Sequence, residues 1–456
     1  MKITRTIEVL FNKYLPSPFA IAVLLSVLTI LLALLFTDGS QEGSHFLEIL
    51  SFWESGVWNN SLLVFAYQMM LILVLGHILV LSRPMHSLIK SLTNLVNSTA
   101  NAVLLVSTTT MLVSFFNWGL GLIFGAIMAR KVAEAAQERG FKINYPLIGA
   151  SGYVGLMIWH GGISGSAPSK VAESGHLASF MTGISTQNLP DLIPYSQTVF
   201  STFNLIVFAV LLLVIPLFLY WIARKTSAQT QHVKIESYLN PISKDKNLKG
   251  AERMDHSNIV GIGFGLLLLI AFVYQYAGSI KALAITPNLL NFFMLGLALI
   301  LHGNFHSFLK ALQEAIKGTS GILIQFPLYF GIMGIMRESG MVVDISNFFV
   351  SVATETTLPI YTFFSAGLVN IFVPSGGGQW AVQGPIVVDS ALQLGVPLPK
   401  AVLALAYGDQ VTNMLQPFWA LPLLGITKLK AKEILPYTLL LMFLGSCIFL
   451  IGLMLW

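Results

Sequence analysis

The residues in this chain best placed to do chemistry are polar groups set inside apolar stretches. Asp409 lies in Tyr407-Gly408-Asp409-Gln410-Val411-Thr412-Asn413, flanked on both sides by runs of apolar residues. A carboxylate in such surroundings is costly to bury, so a functional role is its default reading. It could bind Na⁺ together with Asn413 and nearby carbonyls, or take up a proton; the plainer alternative is a structural hydrogen bond to a neighbouring glycine-rich segment. That segment reads Val373-Pro374-Ser375-Gly376-Gly377-Gly378-Gln379-Trp380. Pro374 removes an amide donor, and the glycines admit backbone conformations closed to other residues. The run therefore breaks a helix and leaves backbone amides free, and a helix starting after it would aim its positive end at an anion.

A third break, Trp159-His160-Gly161-Gly162-Ile163-Ser164-Gly165-Ser166-Ala167-Pro168, offers the Ser164 and Ser166 hydroxyls. His160 could relay protons or donate to a carboxylate, or be a neutral histidine hydrogen-bonded within the bundle. The spacing does not fit a phosphate loop, since Lys170 is followed by Val171. A fourth break, Asn117-Trp118-Gly119, interrupts residues 101–129. The substrate-binding candidates are thus Asn117, His160, Ser164, Ser166, Ser375, Gly376, Gly377, Gly378 and Gln379. Asp409, Asn413 and Asn117 are the candidates for a coupling ion. No Lys or Arg falls within these breaks, so backbone amides and hydroxyls must bind the anion, which favours a singly charged one.

Other motifs carry less. His302 and His306 share a helix face but have no third ligand, and Gly121 and Gly125 have the spacing of close helix packing. The single cysteine, Cys447, cannot form an internal disulfide. No metal site, cofactor or nucleotide motif is expected, apart from Na⁺ as one candidate coupling ion. A nucleophile, base and orienting group for an intramembrane acyltransferase do not come together around His160 or the His302/His306 pair.

The elements that must position these residues belong to a membrane. Of 456 residues, 55% are hydrophobic and 10% charged, against about 25% charged in soluble domains. The net charge of +5 reads as cytoplasmic loops rather than nucleic-acid binding. Apolar runs near 15–37, 61–82, 196–223, 257–278, 286–302, 318–337 and 434–456 are long enough to span. Residues 101–129 and 357–391 read as re-entrant hairpins, and 145–168 and 400–424 as broken helices lining a cavity. The first run follows Lys2, Arg5 and Lys13 and is read as a retained helix. With the N-terminus cytoplasmic, Lys170, Lys281, Arg337 and Lys400 fall outside, and the other 21 basic residues inside. This puts the C-terminus in the periplasm, the acidic 37–60 segment in an external loop, and the two hairpins on opposite faces.

Hairpin followed by broken helix occurs twice at similar offsets. The fold expected is an all-α polytopic transporter with an inverted repeat, whose site lies near midplane where the discontinuous helices meet. Its parts are a first repeat (1–223), a cytoplasmic linker (224–256), a connecting helix (257–285) and a second repeat (286–456).

At these residues the chain resembles the bacterial short-chain fatty acid transporters along nearly its whole length. The resemblance rests on Asn117-Trp118-Gly119-Leu120-Gly121, Gly161 to Ser166, Pro374 to Trp380 with Gln383-Gly384-Pro385, and Ala406 to Gln410 through Asn413 and Gln416 to Pro422. A relative carries Glu at the position of Asp409, keeping a carboxylate of different reach. The resemblance implies carriage of butyrate, acetoacetate and similar monocarboxylates across the inner membrane, coupled to H⁺ or Na⁺. Through the wider inverted-repeat ion transporters it also implies a scaffold, a moving transport domain and a homodimer. A dicarboxylate or other organic-anion carrier is the alternative.

Overall fold

The structure, a computed structural model, describes residues 16–39, 43–180, 189–226, 250–281 and 286–456. The basic N-terminal residues and most of the 224–256 linker lie outside the described residues. The first half runs α1 (Pro18–Phe36), α2 (His45–Val57), α3 (Asn60–Val80), α4 (Arg83–Thr93), α5 (Thr99–Phe116) and α6 (Trp118–Glu138). It continues with α7 (Tyr145–Ser151), α8 (Ser166–Val171), α9 (His176–Phe180) and α10 (Thr202–Lys225). After α11 (Glu252–Asp255) and α12 (Asn258–Lys281) comes the second half. It runs α13 (Pro287–His302), α14 (Phe305–Ala315), α15 (Ser320–Glu338), α16 (Met341–Ser351), α17 (Leu358–Phe372), α18 (Gly376–Leu394), α19 (Leu398–Thr412), α20 (Pro417–Thr427) and α21 (Ala431–Leu455).

Among the described residues, seven helices are long and apolar enough to cross a membrane: α1, α3, α5, α10, α12, α15 and α21. The 24 residues of α10 rise about 36 Å at ~1.5 Å per residue, beyond the ~30 Å of a hydrocarbon core. Four of these seven helices, α1, α3, α5 and α10, start at polar caps. Ser17, Asn59, Ser98 and Ser201 each accept from the backbone amide three residues on, satisfying one of the amides a helix start leaves open.

The order of elements recurs in the two halves. A long helix, a short one, a second long one and another short one precede a helix pair, a broken helix and a final long helix. Both halves follow this order, and α12 stands between them. The first helix pair breaks at Asn117, where the sequence predicts; the second breaks at Val373-Pro374-Ser375, with the glycines and Gln379-Trp380 already inside α18. The arms of the first are longer than 101–129 because α6 runs on past Arg130 and Lys131. Those charges fold back on Glu134 within the helix, at 2.9 and 2.6 Å.

The acidic 37–60 segment is not a loop throughout. Residues 45–57 form α2, whose Ile49, Gly56 and Val57 are buried at helical spacing. Gly56 lies against Gly334 of α15 so closely that a side chain on either would overlap the other helix's backbone. Gly125 and Gly152 make a similar contact between α6 and the end of α7. The small-residue spacing thus brings hairpin and broken helix together.

Candidate functional site

The site is where both breaks of the first half meet both breaks of the second. In the first half the chain leaves α5 at Asn117, whose Oδ1 accepts the Leu120 amide at 2.9 Å and caps α6. Ser164 completes the cap by accepting the Trp118 amide at 3.0 Å. Of these predicted substrate ligands, Asn117 caps its own hairpin, and Ser164 ties the first hairpin tip to the first broken helix. Between α7 and α8 the chain makes only 3-10 turns at Val154–Met157 and Trp159–Gly161. The Tyr153 hydroxyl donates to the Asn413 and Gln416 carbonyls at 2.8 and 3.1 Å. One broken helix thereby supports the carbonyls freed in the other.

In the second half the break falls at Val373-Pro374-Ser375, and α18 begins with the glycines rather than after them. Ser375 caps α18, its Oγ accepting the Gly378 amide at 3.2 Å. The Gly376 and Gly377 amides, in the first turn, have no acceptor within the helix. Gly376 is pressed against the other half. A Cβ there would lie 2.7 Å from Trp159 Cη2 and 2.8 Å from His160 Cε1. Gly377 is the open position, exposed, with Ser166 Oγ the nearest atom a Cβ would meet, at 3.8 Å. Ser166, Ser375 and Gly378 are half-buried beside it. Gln379 points away from this opening. It is fully buried and donates to the Ala366 carbonyl at 2.8 Å and to Gln383 Oε1 at 2.7 Å.

Asp409 and His160, 249 residues apart in sequence, are hydrogen-bonded through Oδ2 and Nδ1, and both are fully buried. The Ala167 amide donates to His160 Nε2 at 3.0 Å, and Trp159 stacks on the imidazole at 4.5 Å between centroids. Asn413 is joined to Asp409 by Asn370. The Asn370 Nδ2 donates to the Asp409 carbonyl at 2.7 Å and to Asn413 Oδ1 at 2.8 Å. Asp409 Oδ1, Asn370 Oδ1 and Gln416 Oε1 are buried oxygens with no hydrogen-bond partner, and of these only the carboxylate oxygen is basic enough to take a proton.

Several of these residues escape a motif-based reading. Gln410 Oε1 accepts the His160 and Gly161 amides at 2.8 and 3.3 Å. Tyr407 donates to Asn204 Oδ1 at 2.7 Å, and Asn204 Nδ2 donates to the Gly161 carbonyl at 2.9 Å. Asn370 had a signal, as a lone amide in an apolar helix; Asn204 had only the same weak one. His302 and His306 do not converge. The first bonds the Ile78 carbonyl at 2.8 Å and the second stacks on His256 at 4.2 Å.

The sequence profile of the short chain fatty acid transporter family matches residues 1–456. Two relatives that bear that name provisionally, from Escherichia coli K12 and Haemophilus influenzae Rd, are 36% and 33% identical, each over 99% of both chains. The chain belongs to the short-chain fatty acid transporter family. This member of the family is a multi-pass membrane transporter and not an enzyme. Among solved structures it is similar to the Alcanivorax borkumensis YdaH transporter, with 12% identity and a TM-score of 0.44 over 96% of this chain and 97% of that one. It is also similar to Neisseria gonorrhoeae MtrF, at 17% identity and a TM-score of 0.40, over 98% and 96%.

Proposed function

We propose that this protein is a secondary transporter of short-chain monocarboxylates such as butyrate and acetoacetate, working in the inner membrane and coupled to H⁺ or Na⁺. The observation that carries the reading is the second hairpin tip. Its first-turn amides, Gly376 and Gly377, have no acceptor within the 19-residue helix whose positive end they form, and Gly377 is exposed beside Ser166 and Ser375. Such an end favours an anion through both the amides and the dipole. Among the described residues, no Lys or Arg lines the opening, which suits a single carboxylate better than two.

Asp409, with Asn413 and Asn370 beside it, is the coupling-ion site in this reading. Asn117 caps the first hairpin tip, and Ser164 ties that tip to the first broken helix, which carries His160. The recurring element order is read as an inverted repeat with the boundaries given above, N-terminus cytoplasmic and C-terminus periplasmic. A homodimer would follow from the resemblance alone. Uptake of labelled butyrate into liposomes containing the purified protein tests the proposal, with the solute recovered unchanged. Acetate and acetoacetate should compete and succinate should not. Stronger competition by succinate would make this a dicarboxylate carrier instead.

A further inference from the structure

His160 is held between two partners that fix where its hydrogen lies. The Ala167 amide donates to Nε2 at 3.0 Å, so Nε2 is an acceptor and carries no proton. A neutral imidazole with an accepting Nε2 has its hydrogen on Nδ1, and Nδ1 faces Asp409 Oδ2. The carboxylate therefore has one oxygen filled by a donated hydrogen and the other, Oδ1, buried and without a partner. The other buried acid among the described residues, Glu134, is held by Arg130 and Lys131; no Lys or Arg faces Asp409. The elements packed on α19 bring to it His160 and the phenol of Tyr153, which is bonded to the Asn413 carbonyl; Tyr407, on α19 itself, is bonded to Asn204. Of the other ionisable groups on α19 and these elements, Lys170, Asp389, Lys400, Lys432, Glu433 and Tyr361 lie toward helix ends, and Tyr437 and Cys447 lie within α21.

We propose, resting on the transport reading above, that the coupling ion is a proton and that Asp409 Oδ1 carries it, with His160 as a positioning residue. On the side where substrate enters, the carboxylate takes one proton from water at Oδ1 and becomes a carboxylic acid. On the other side it returns that proton to water and becomes the carboxylate again. The imidazole keeps its Nδ1 hydrogen throughout, because Nε2 cannot accept a proton without losing the Ala167 bond. The anion is tied to this step by geometry. Gly376 packs on His160 Cε1, so substrate at the hairpin tip is a neighbour of Asp409. Two negative charges there repel, and protonation of Asp409 removes one. Proton and carboxylate then tighten each other's binding by the same factor. One proton moving with one monocarboxylate transfers no net charge, so membrane potential does not drive uptake.

The test uses liposomes containing the full-length protein in Na⁺-free buffer, with initial rates of labelled butyrate uptake taken above protein-free liposomes to remove leak of the free acid. An acid-outside gradient of one pH unit should raise the wild-type rate by up to about tenfold. A potassium diffusion potential at equal pH should leave it unchanged. Asp409→Asn should lose the response to the pH gradient while exchanging butyrate more slowly. His160→Asn places an amide donor where Nδ1 was and cannot itself be protonated; it should keep the gradient response at a lower absolute rate. Uptake driven by Na⁺ at equal pH, or accelerated by potential, overturns the proposal, and both are measured on the wild type alone. A His160→Asn protein that exchanges but ignores the gradient also overturns it, by making the imidazole the carrier. Wild-type exchange with no effect of the pH gradient defeats this inference only. No exchange of any carboxylate defeats the transport reading as well.

Discussion

Replacing Gly377 by valine tests the anion site without disturbing the packing around it. A Cβ at this position would meet nothing nearer than Ser166 Oγ at 3.8 Å, so the valine methyls would project into the opening instead of into protein. The first turn of α18 tolerates the change, because the Ser375 cap and the Gly378 amide are not involved. The valine would exclude a carboxylate from the Gly376 and Gly377 amides. A hydrogen bond to a charged group contributes about 1.5–3 kcal/mol, so losing two weakens binding by about 3–6 kcal/mol. At about 1.4 kcal/mol per decade this is on the order of 10² to 10⁴ in apparent affinity. KM for butyrate uptake is the quantity to measure, alongside the melting temperature of the detergent-purified protein. The expected result is a KM raised at least about a hundredfold with an unchanged melting temperature. A KM within about threefold of wild type would place the carboxylate elsewhere and refute the reasoning.

Gly376→Ala behaves differently, since its Cβ would press on Trp159 and His160. It should slow exchange and lower the melting temperature, which a thermal-shift assay reads. Arg130 is buried, and its guanidinium donates to the Ile426 carbonyl at 2.7 Å as well as to Glu134. Arg130→Met strands that carbonyl and half of an ion pair, so a loss of about 3–5 kcal/mol is expected in denaturant unfolding. Gly125→Leu forces a side chain into the Gly152 carbonyl, and about 1–3 kcal/mol should be lost in the same assay. His176 accepts a hydrogen bond from the Trp380 indole at 3.1 Å. Burial, with Lys170 assisting and Glu173 opposing, holds its imidazole below the usual value of 6.5. The unfolded chain then binds more protons than the folded one in that range. Stability should therefore fall as pH drops below 6.5 toward the lower folded value, and His176→Gln should flatten that part of a melting-temperature profile.

The spanning helices were legible because lipid imposes length and apolarity together. All seven predicted spans coincide with helices to within a few residues, apart from the late start of α10 at Thr202; of these, 286–302 is the shorter 16-residue α13, while α5, read as a hairpin arm, is long enough to cross. The hairpin breaks were legible at Asn117 and Pro374, because a polar cap and a missing amide act locally. What escaped is whatever depends on contact across the repeat. Nothing around Asn117 or Ser164 says that their oxygens are used on backbone amides and not on a ligand. Gln379 sits in the glycine run but turns its side chain into the second hairpin. Asp409 could be picked out by its cost, yet its pairing with His160 arises only when the two broken helices meet. Helix α2 was missed because its two glutamates read as an external loop, while its buried face consists of a few residues matched to α15.

Counterflow tests the central claim most directly. Liposomes carrying the protein are preloaded with unlabelled butyrate, and labelled butyrate is added outside with equal pH, no Na⁺ and no potential. An alternating-access carrier for monocarboxylates predicts a transient accumulation of label above the external concentration, abolished by Gly377→Val. Label that merely equilibrates, as in protein-free liposomes, would contradict the account.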